Sequence, residues 1–311
     1  MQAFEQIFLA ETGLKLEAGV PLAAYSSFKI GGPARFFTEV INLDQLLKAV
    51  GTARQYRFPF YLIGGGYNLL FDDAGYQGLI IRNKASAISY HPDQGLLAID
   101  SGSDLQTVVK MTVSSGLTGL EFLAGIPGTV GGAIYGNAGA FGRAIGEKTT
   151  GVLTLDSEGQ PVSLNQPSLG FGYRSSNFKK NHQPILKAFL SVAPGEKDEI
   201  DQLVKGYLEQ RRRRHPPRTT ACAGSYFKNP VLPDGQRLAA GLLLEKSGAK
   251  GMQVGQAAVY SGHCNFIINL GGATARDVLE LARRLQEKVQ ENYGLWLEEE
   301  VIFVPADASM L

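Results

Sequence analysis

Between Ala124 and Gly142 the chain reads Ala-Gly-Ile-Pro-Gly-Thr-Val-Gly-Gly-Ala-Ile-Tyr-Gly-Asn-Ala-Gly-Ala-Phe-Gly. So little side chain cannot build an amphipathic face. Two purposes remain open for it. One is close approach of backbone to a large ligand, with N–H groups offered to a pyrophosphate. The other is tight backbone packing within a sheet. A second stretch, Phe60-Tyr-Leu-Ile-Gly-Gly-Gly-Tyr-Asn-Leu-Leu70, runs from an apolar strand into three glycines. Successive N–H groups there can turn towards one anion, with Asn68 adding a side-chain contact, or the run can be a plain tight turn.

Glycine makes up 38 of 311 residues, against a usual ~7%, and charged residues fall below the usual ~25%. Both numbers shift attention from side chains to backbone. The net charge of +1 provides no general field for nucleic acid or membrane. Cys222 and Cys264 are the only thiols, too few for a disulfide framework or a four-thiolate zinc site. Glu5 and Glu11 interrupt the apolar residues at the start, unlike a secretory signal, and no apolar run reaches the ~18 residues of a membrane helix. A cytoplasmic protein is expected, with no metal, no nucleic acid partner and no membrane insertion.

Common catalytic signatures are absent. There is no G-x-G-x-x-G, no P-loop, no H-E-x-x-H and no G-x-S-x-G, which argues against a Rossmann dehydrogenase or a common hydrolase. Helices are predicted after Ser103 with Gln106 as a capping box, over 196–213, over 237–246, and from Thr274 with Asp277 to Gly294. Strands are predicted at 35–40, 59–63, 78–82, 96–100, 152–155, 185–192, 266–269 and 296–304. Mixed elements without regular βαβ alternation indicate an α+β fold.

A set of collinear segments then becomes recognisable: Ser26-Ser-Phe-Lys-Ile-Gly-Gly-Pro-Ala34, Ile63-Gly-Gly-Gly-Tyr-Asn-Leu-Leu70, Gly125-Ile-Pro-Gly-Thr-Val-Gly-Gly-Ala133, Asn137-Ala-Gly139, Tyr173-Arg-Ser-Ser176, Gly224-Ser-Tyr-Phe-Lys-Asn-Pro230, Gly262-His-Cys-Asn-Phe-Ile-Ile-Asn269 and Leu297-Glu-Glu-Glu-Val301. In this order the chain resembles the UDP-N-acetylenolpyruvoylglucosamine reductases, flavoenzymes of peptidoglycan precursor synthesis. The short segment between Arg174 and Ser225 resembles the type without the extra tyrosine-bearing loop. Two departures stand out: Glu299 replaces the family's usual proline, and Gln256-Ala-Ala-Val-Tyr260 is looser than the glycine-bearing version.

The resemblance implies an α+β architecture. It has a two-subdomain FAD-binding fold of the vanillyl-alcohol-oxidase (PCMH) type and a C-terminal substrate-binding domain. The expected boundaries are 1–85, 86–196, 197–298 and a returning segment at 299–311. It implies non-covalent FAD, NADPH as co-substrate, a UDP-sugar substrate and a monomer. The cofactor would lie on Gly64, Gly65, Gly66, Tyr67, Asn68, Leu69, Gly128, Thr129, Gly131, Gly132, Asn137 and Gly139. Arg174 would hold the substrate carboxylate, Ser225 would protonate C2, and Glu300 would act beside the same carboxylate, with Glu298 as the alternative on the same strand face. Lys228, Asn229, Glu245 and Arg214 would serve the substrate. For Arg211–Arg214, a solvated helix end competes with one arginine reaching a phosphate. An oxidase or dehydrogenase on the same FAD scaffold, or a non-enzymatic binding protein, are the competing functions.

Overall fold

The computed structural model describes residues 2–308. The chain forms two compact units that are not sequential. Within the described residues the first comprises 2–18, 36–65 and 78–211; the second comprises 19–35, 66–77 and 212–308.

The first unit holds a five-stranded antiparallel sheet in the order Pro161–Asn165, Thr149–Leu155, Ile185–Ser191, Leu96–Asp100, Ile88–His91. Alternation along Ile185–Ser191 buries Ile185, Leu186, Ala188 and Leu190. Leu97, Ile99, Val152, Ala188 and Leu190 share a core with the helices Leu105–Ser114 and Val130–Tyr135. Each such side chain contributes about 1.5–3 kcal/mol by leaving water. A second cluster gathers Phe8, Phe36, Val40, Leu46, Val50, Leu79 and Ile81. It packs the helices Gln2–Thr12 and Leu43–Gln55, the latter capped by Asn42, whose Oδ1 accepts from Gln45 N at 2.9 Å. In the same unit Phe60–Ile63 lies parallel to the Tyr76–Asn83 strand, Phe60 opposite Leu79, and its end delivers the first glycine run.

The second unit centres on the helix Ala275–Tyr293. Its capping box is the one expected: Asp277 N donates to Thr274 Oγ1 at 3.0 Å and Thr274 N to Asp277 Oδ2 at 3.0 Å. Gly294, at φ +67, ends it. Its face of Val278, Leu281, Ala282, Leu285 and Val289 packs on a three-stranded sheet of Gln253–Val254, Ala257–Val259 and Ile267–Asn269. Leu69–Phe71 pairs in parallel with Ile302–Val304.

Three expectations are corrected. The cap of the helix Leu105–Ser114 is Asp104 and not Ser103: Asp104 Oδ1 accepts from Thr107 N at 2.7 Å, where a carboxylate also complements the helix dipole. The helix expected from Arg237 begins at Ala240, because Asn229 Oδ1 takes the Ala240 N–H at 3.0 Å and Arg237 is held in a bridge to Val231. The strand expected over 296–304 is regular only at Ile302–Val304. The helix expected over 196–213 is present as Lys197–Arg214. No helix among the described residues is long and apolar enough to cross a membrane.

Candidate active site

In the first unit the two glycine loops abut. A Cβ at Gly64 would overlap Thr129 Oγ1, and one at Gly131 would lie 2.8 Å from Ser101 Cβ. Gly128 sits at φ +127, a conformation open essentially to glycine. Gly139 lies in a two-residue hairpin, where a side chain would strike Arg143 O. Packing therefore accounts for many of these glycines. It does not account for Gly132 or Gly136. A Cβ at Gly132 would make only an ordinary 3.5 Å contact, one at Gly136 a 3.7 Å contact, and neither has a positive φ. Gly132 is exposed at the first turn of Val130–Tyr135, leaving the space that a ligand approaching the backbone would need.

The first-turn N–H groups of this helix have partners within the protein. Val130 N donates to Ser103 O at 2.9 Å, Gly131 N to Ser101 O at 2.8 Å and Gly132 N to Thr129 Oγ1 at 3.3 Å. Gln106, expected to complete a cap, instead clamps the loop's entrance. Its Nε2 donates to Leu123 O and Ile126 O, and its Oε1 accepts from Gly125 N at 2.6 Å.

Arg174 occupies a tight turn in the same unit. Gly172 N donates to Ser175 O at 3.0 Å and Ser175 N returns to Gly172 O at 3.2 Å, with Arg174 at φ +51. A long side chain in that region is uncommon and costs on the order of 1–3 kcal/mol. The turn is tied to the second glycine loop by Asn137, expected on the cofactor but buried. Asn137 Nδ2 donates to Gly172 O at 2.8 Å and its Oδ1 accepts from Gly146 N at 3.0 Å. Ser176 Oγ adds a bond to Tyr135 O at 2.8 Å. Both ends of the Asn137 amide are thus used in positioning the Arg174 turn. Asn137→Ala should lower stability by roughly 1–3 kcal/mol through the buried Gly146 N–H left unanswered, the exposed Gly172 carbonyl keeping its bond from Ser175 N; an unchanged chemical-denaturation midpoint would contradict this.

In the second unit Gly66 continues the first loop at φ +68, where a Cβ would strike Tyr25 O. Tyr67 is exposed, and Leu69 is held between Ser26 Oγ, which donates to its carbonyl at 3.1 Å, and the pairing to Ile302. Asn68 Nδ2, expected to meet an anion, donates to Glu300 O at 2.9 Å, and Asn68 O accepts from Ile302 N at 3.0 Å. The loop is thereby joined to the glutamate run. That run also lies against the Ser225 segment: Phe227 bridges Glu299, Glu300 N donates to Tyr226 O at 2.7 Å, and Lys228 N to Glu298 O at 2.8 Å. The structure thus brings together Asn68, Tyr226–Lys228, the residues directly after Ser225, and Glu298–Glu300.

Lys228 ion-pairs with the exposed Glu298. Glu299 is half-buried, and burial raises its carboxyl above the usual range; burial also raises the Tyr226 phenol, helped by the Glu299 charge. In the pH window between the ordinary and the raised value of Glu299, the folded chain holds a proton that the unfolded chain has lost. Stability therefore falls as pH rises through it. Glu299→Gln should be more thermostable than the parent at pH 8 and equal to it at pH 4; a reversed order in a thermal melt would refute this.

Glu245 lies exposed on the helix Ala240–Lys246, and Arg214 is exposed at the end of its helix. Both act electrostatically on His263, whose pKa burial lowers. Among the four arginines Arg211 is the half-buried one. Its guanidinium stands 5.5 Å from the Phe141 ring, and its side chain covers Gly125. No group of residues suited to a metal ion exists among the described residues.

Residues 34–165 match the family model described as an FAD binding domain, and 215–304 match that of the UDP-N-acetylenolpyruvoylglucosamine reductase C-terminal domain. A curated UDP-N-acetylenolpyruvoylglucosamine reductase of Geotalea uraniireducens is 39% identical over 94% of this chain and 95% of its own length. That of Gloeobacter violaceus is 35% identical over 93% and 96%. The chain belongs to the UDP-N-acetylenolpyruvoylglucosamine reductase family. The crystal structure of the reductase from Thermus caldophilus superposes with a TM-score of 0.78 at 34% identity, covering 94% of this chain and all of that one. A BBE-like protein of Physcomitrella patens, at 13% identity and a TM-score of 0.56, shares the fold alone. The reductase family's α+β, FAD-binding architecture and its FAD-dependent oxidoreductase chemistry are therefore those of this chain. The open backbone at Gly132 and Gly136, beside the abutting loops, fits such a cofactor.

Proposed function

We propose that this reductase converts the enolpyruvyl ether of UDP-N-acetylglucosamine-enolpyruvate into UDP-N-acetylmuramate, a peptidoglycan precursor, with Ser225, Arg174 and Glu300 as its working side chains. When bound, FAD would supply the hydride chemistry between NADPH and the substrate's C3. The chain's own task is to manage the charge and the proton that follow. Hydride at C3 builds negative charge on C2 and the adjoining carboxylate, and C2 then takes a proton. The Ser225 hydroxyl is assigned as that proton's donor. The always-charged, bidentate guanidinium of Arg174 is assigned to the carboxylate, and Glu300 to a donor beside it. Glu245, Asn229 and Arg214 are assigned to the sugar nucleotide, and the second unit to substrate binding. A cytoplasmic site of action accords with this reading.

The observation that supports the reading is the pairing of Tyr226–Lys228, which directly follows Ser225, with Glu298–Glu300: the segments bearing the proposed acid and its carboxyl companion are hydrogen-bonded neighbours. The test is NADPH oxidation by the purified protein with and without the enolpyruvyl sugar nucleotide. Substrate-dependent oxidation yielding the lactyl ether is expected. Equal rates in both samples would reject the activity.

A further inference from the structure

We propose that Asn265 is a positioning residue for the Ser225 segment, its side-chain amide standing in for a missing β-strand. Asn265 is 4% exposed, so water cannot answer its polar atoms. Its Oδ1 accepts from Phe227 N at 2.9 Å and its Nδ2 donates to Phe227 O at 2.9 Å. This is the two-bond exchange that a residue of an adjacent strand would make. The backbone oxygen of Asn265 also accepts from Tyr226 N at 2.8 Å, while Asn265 N donates to His263 Nδ1 at 3.2 Å. Glu298–Glu300 pairs with the same short segment through Tyr226 O and Lys228 N.

Ser225 itself follows Gly224, which sits at φ +83 with nothing within 4 Å of where its Cβ would be. Upstream the chain is anchored at Ala221, whose oxygen accepts from Asn269 N at 2.9 Å, and at the buried Ala223; downstream it is anchored by Asn265 at Tyr226 and Phe227, so Ser225 lies between two fixed points. Phe227 N–H requires an acceptor and Phe227 C=O a donor. An amide provides both, a carboxylate only the acceptor, and an alkyl group neither. The role rests on the assignment of Ser225 as proton donor.

The decisive measurement is rapid-mixing absorbance of the FAD-loaded enzyme carrying Asn265→Asp, with Asn265→Ser as a second variant should the first not fold. The positioning role predicts normal flavin content and reduction by NADPH within about twofold of the parent. It predicts reoxidation by the enolpyruvyl sugar nucleotide slowed about 10–100-fold, the size of effect expected from a misplacement near 1 Å. Combined with Ser225→Ala, the loss should be non-additive, because both act on one proton transfer. Asn269→Asp is the control. That amide also ties backbone, to Phe28 O, Gly271 N and Ala273 N. It should lower the melting temperature without selectively slowing reoxidation. A melting-temperature loss in Asn265→Asp with unchanged reoxidation, an equal fall in both half-reactions, or additivity with Ser225→Ala would overturn the role. Fast reoxidation of Ser225→Ala would instead overturn the acid assignment and, with it, the role built on it.

Discussion

Ser225→Ala is expected to be reduced by NADPH at close to the parent rate and to be reoxidised by the enolpyruvyl sugar nucleotide about 10²–10⁴-fold more slowly, the range for a lost general acid. The first half-reaction needs no proton at C2, whereas the second does. Ser225→Cys keeps a transferable proton at the same place and should retain more activity than the alanine variant. The alternative role for this serine is a helix cap or a turn residue, which would cost about 0.5–2 kcal/mol of stability on removal and spare both half-reactions. The structure has no helix at that point, the next one beginning at Ala240, which leaves the turn as the role to be tested against. Rapid-mixing absorbance separates the outcomes, and fast reoxidation of the alanine variant would remove Ser225 from the chemistry.

The second large effect is expected at Arg174. Losing a charge-assisted contact to a desolvated carboxylate costs about 2–5 kcal/mol, so Arg174→Ala should lower kcat/KM for the enolpyruvyl substrate by roughly 30- to 5,000-fold. Arg174→Lys keeps the charge without the planar fork and should fall between. FAD content should be unchanged in both, because the ties of this turn to the second glycine loop run through Asn137 and Ser176 and not through the Arg174 side chain. Parent-like turnover in Arg174→Ala would place the carboxylate elsewhere.

The legible parts of this fold are those whose signal is local. Thr274 with Asp277 announced its helix, and Gly294 its end, because the cap and stop are made by residues a few positions apart. Alternation and β-branching located three strands of the five-stranded sheet within a few residues, Leu96–Asp100, Thr149–Leu155 and Ile185–Ser191, and missed its two edges, Ile88–His91 and Pro161–Asn165, whose half-exposed, polar-rich residues carry a weaker signal. The site was legible as segments, through the glycine loops and the Gly-Ser-Tyr-Phe-Lys-Asn-Pro run. What each residue does within it was less so. Asn68 reads as a ligand contact because an asparagine beside glycines suits an anion, and Asn137 through the resemblance. In the structure Asn68 Nδ2 also ties Glu300 O, and the Asn137 amide ties Gly172 O and Gly146 N. Such partners lie up to 232 positions away, and no local pattern records them. Gln106, read as a cap partner, and Asn265, given no role, were misjudged for the same reason: each satisfies backbone groups of another segment, 17–20 and 38 positions away. Gly64 and Gly131 looked like ligand-facing glycines, yet Thr129 and Ser101 leave them no room for a Cβ. Composition cannot separate these from Gly132, whose surroundings are open.

The pairing of Leu69–Phe71 with Ile302–Val304 sets an order of events during synthesis. The first glycine loop leaves the ribosome early, but the strand that fixes its far end is made more than two hundred residues later. The rest of the second unit shares this delay, since 19–35 and 66–77 must wait for 212 onward. Loop closure over such a span is entropically slow, and an early segment of this kind remains exposed until its partner arrives. A nascent chain stalled before Ile302 would therefore present Leu69, Leu70 and Phe71 as an unpartnered apolar strand. Leu70 and Phe71 are fully buried in the finished molecule, so this stretch is where a holding chaperone would find the incomplete protein.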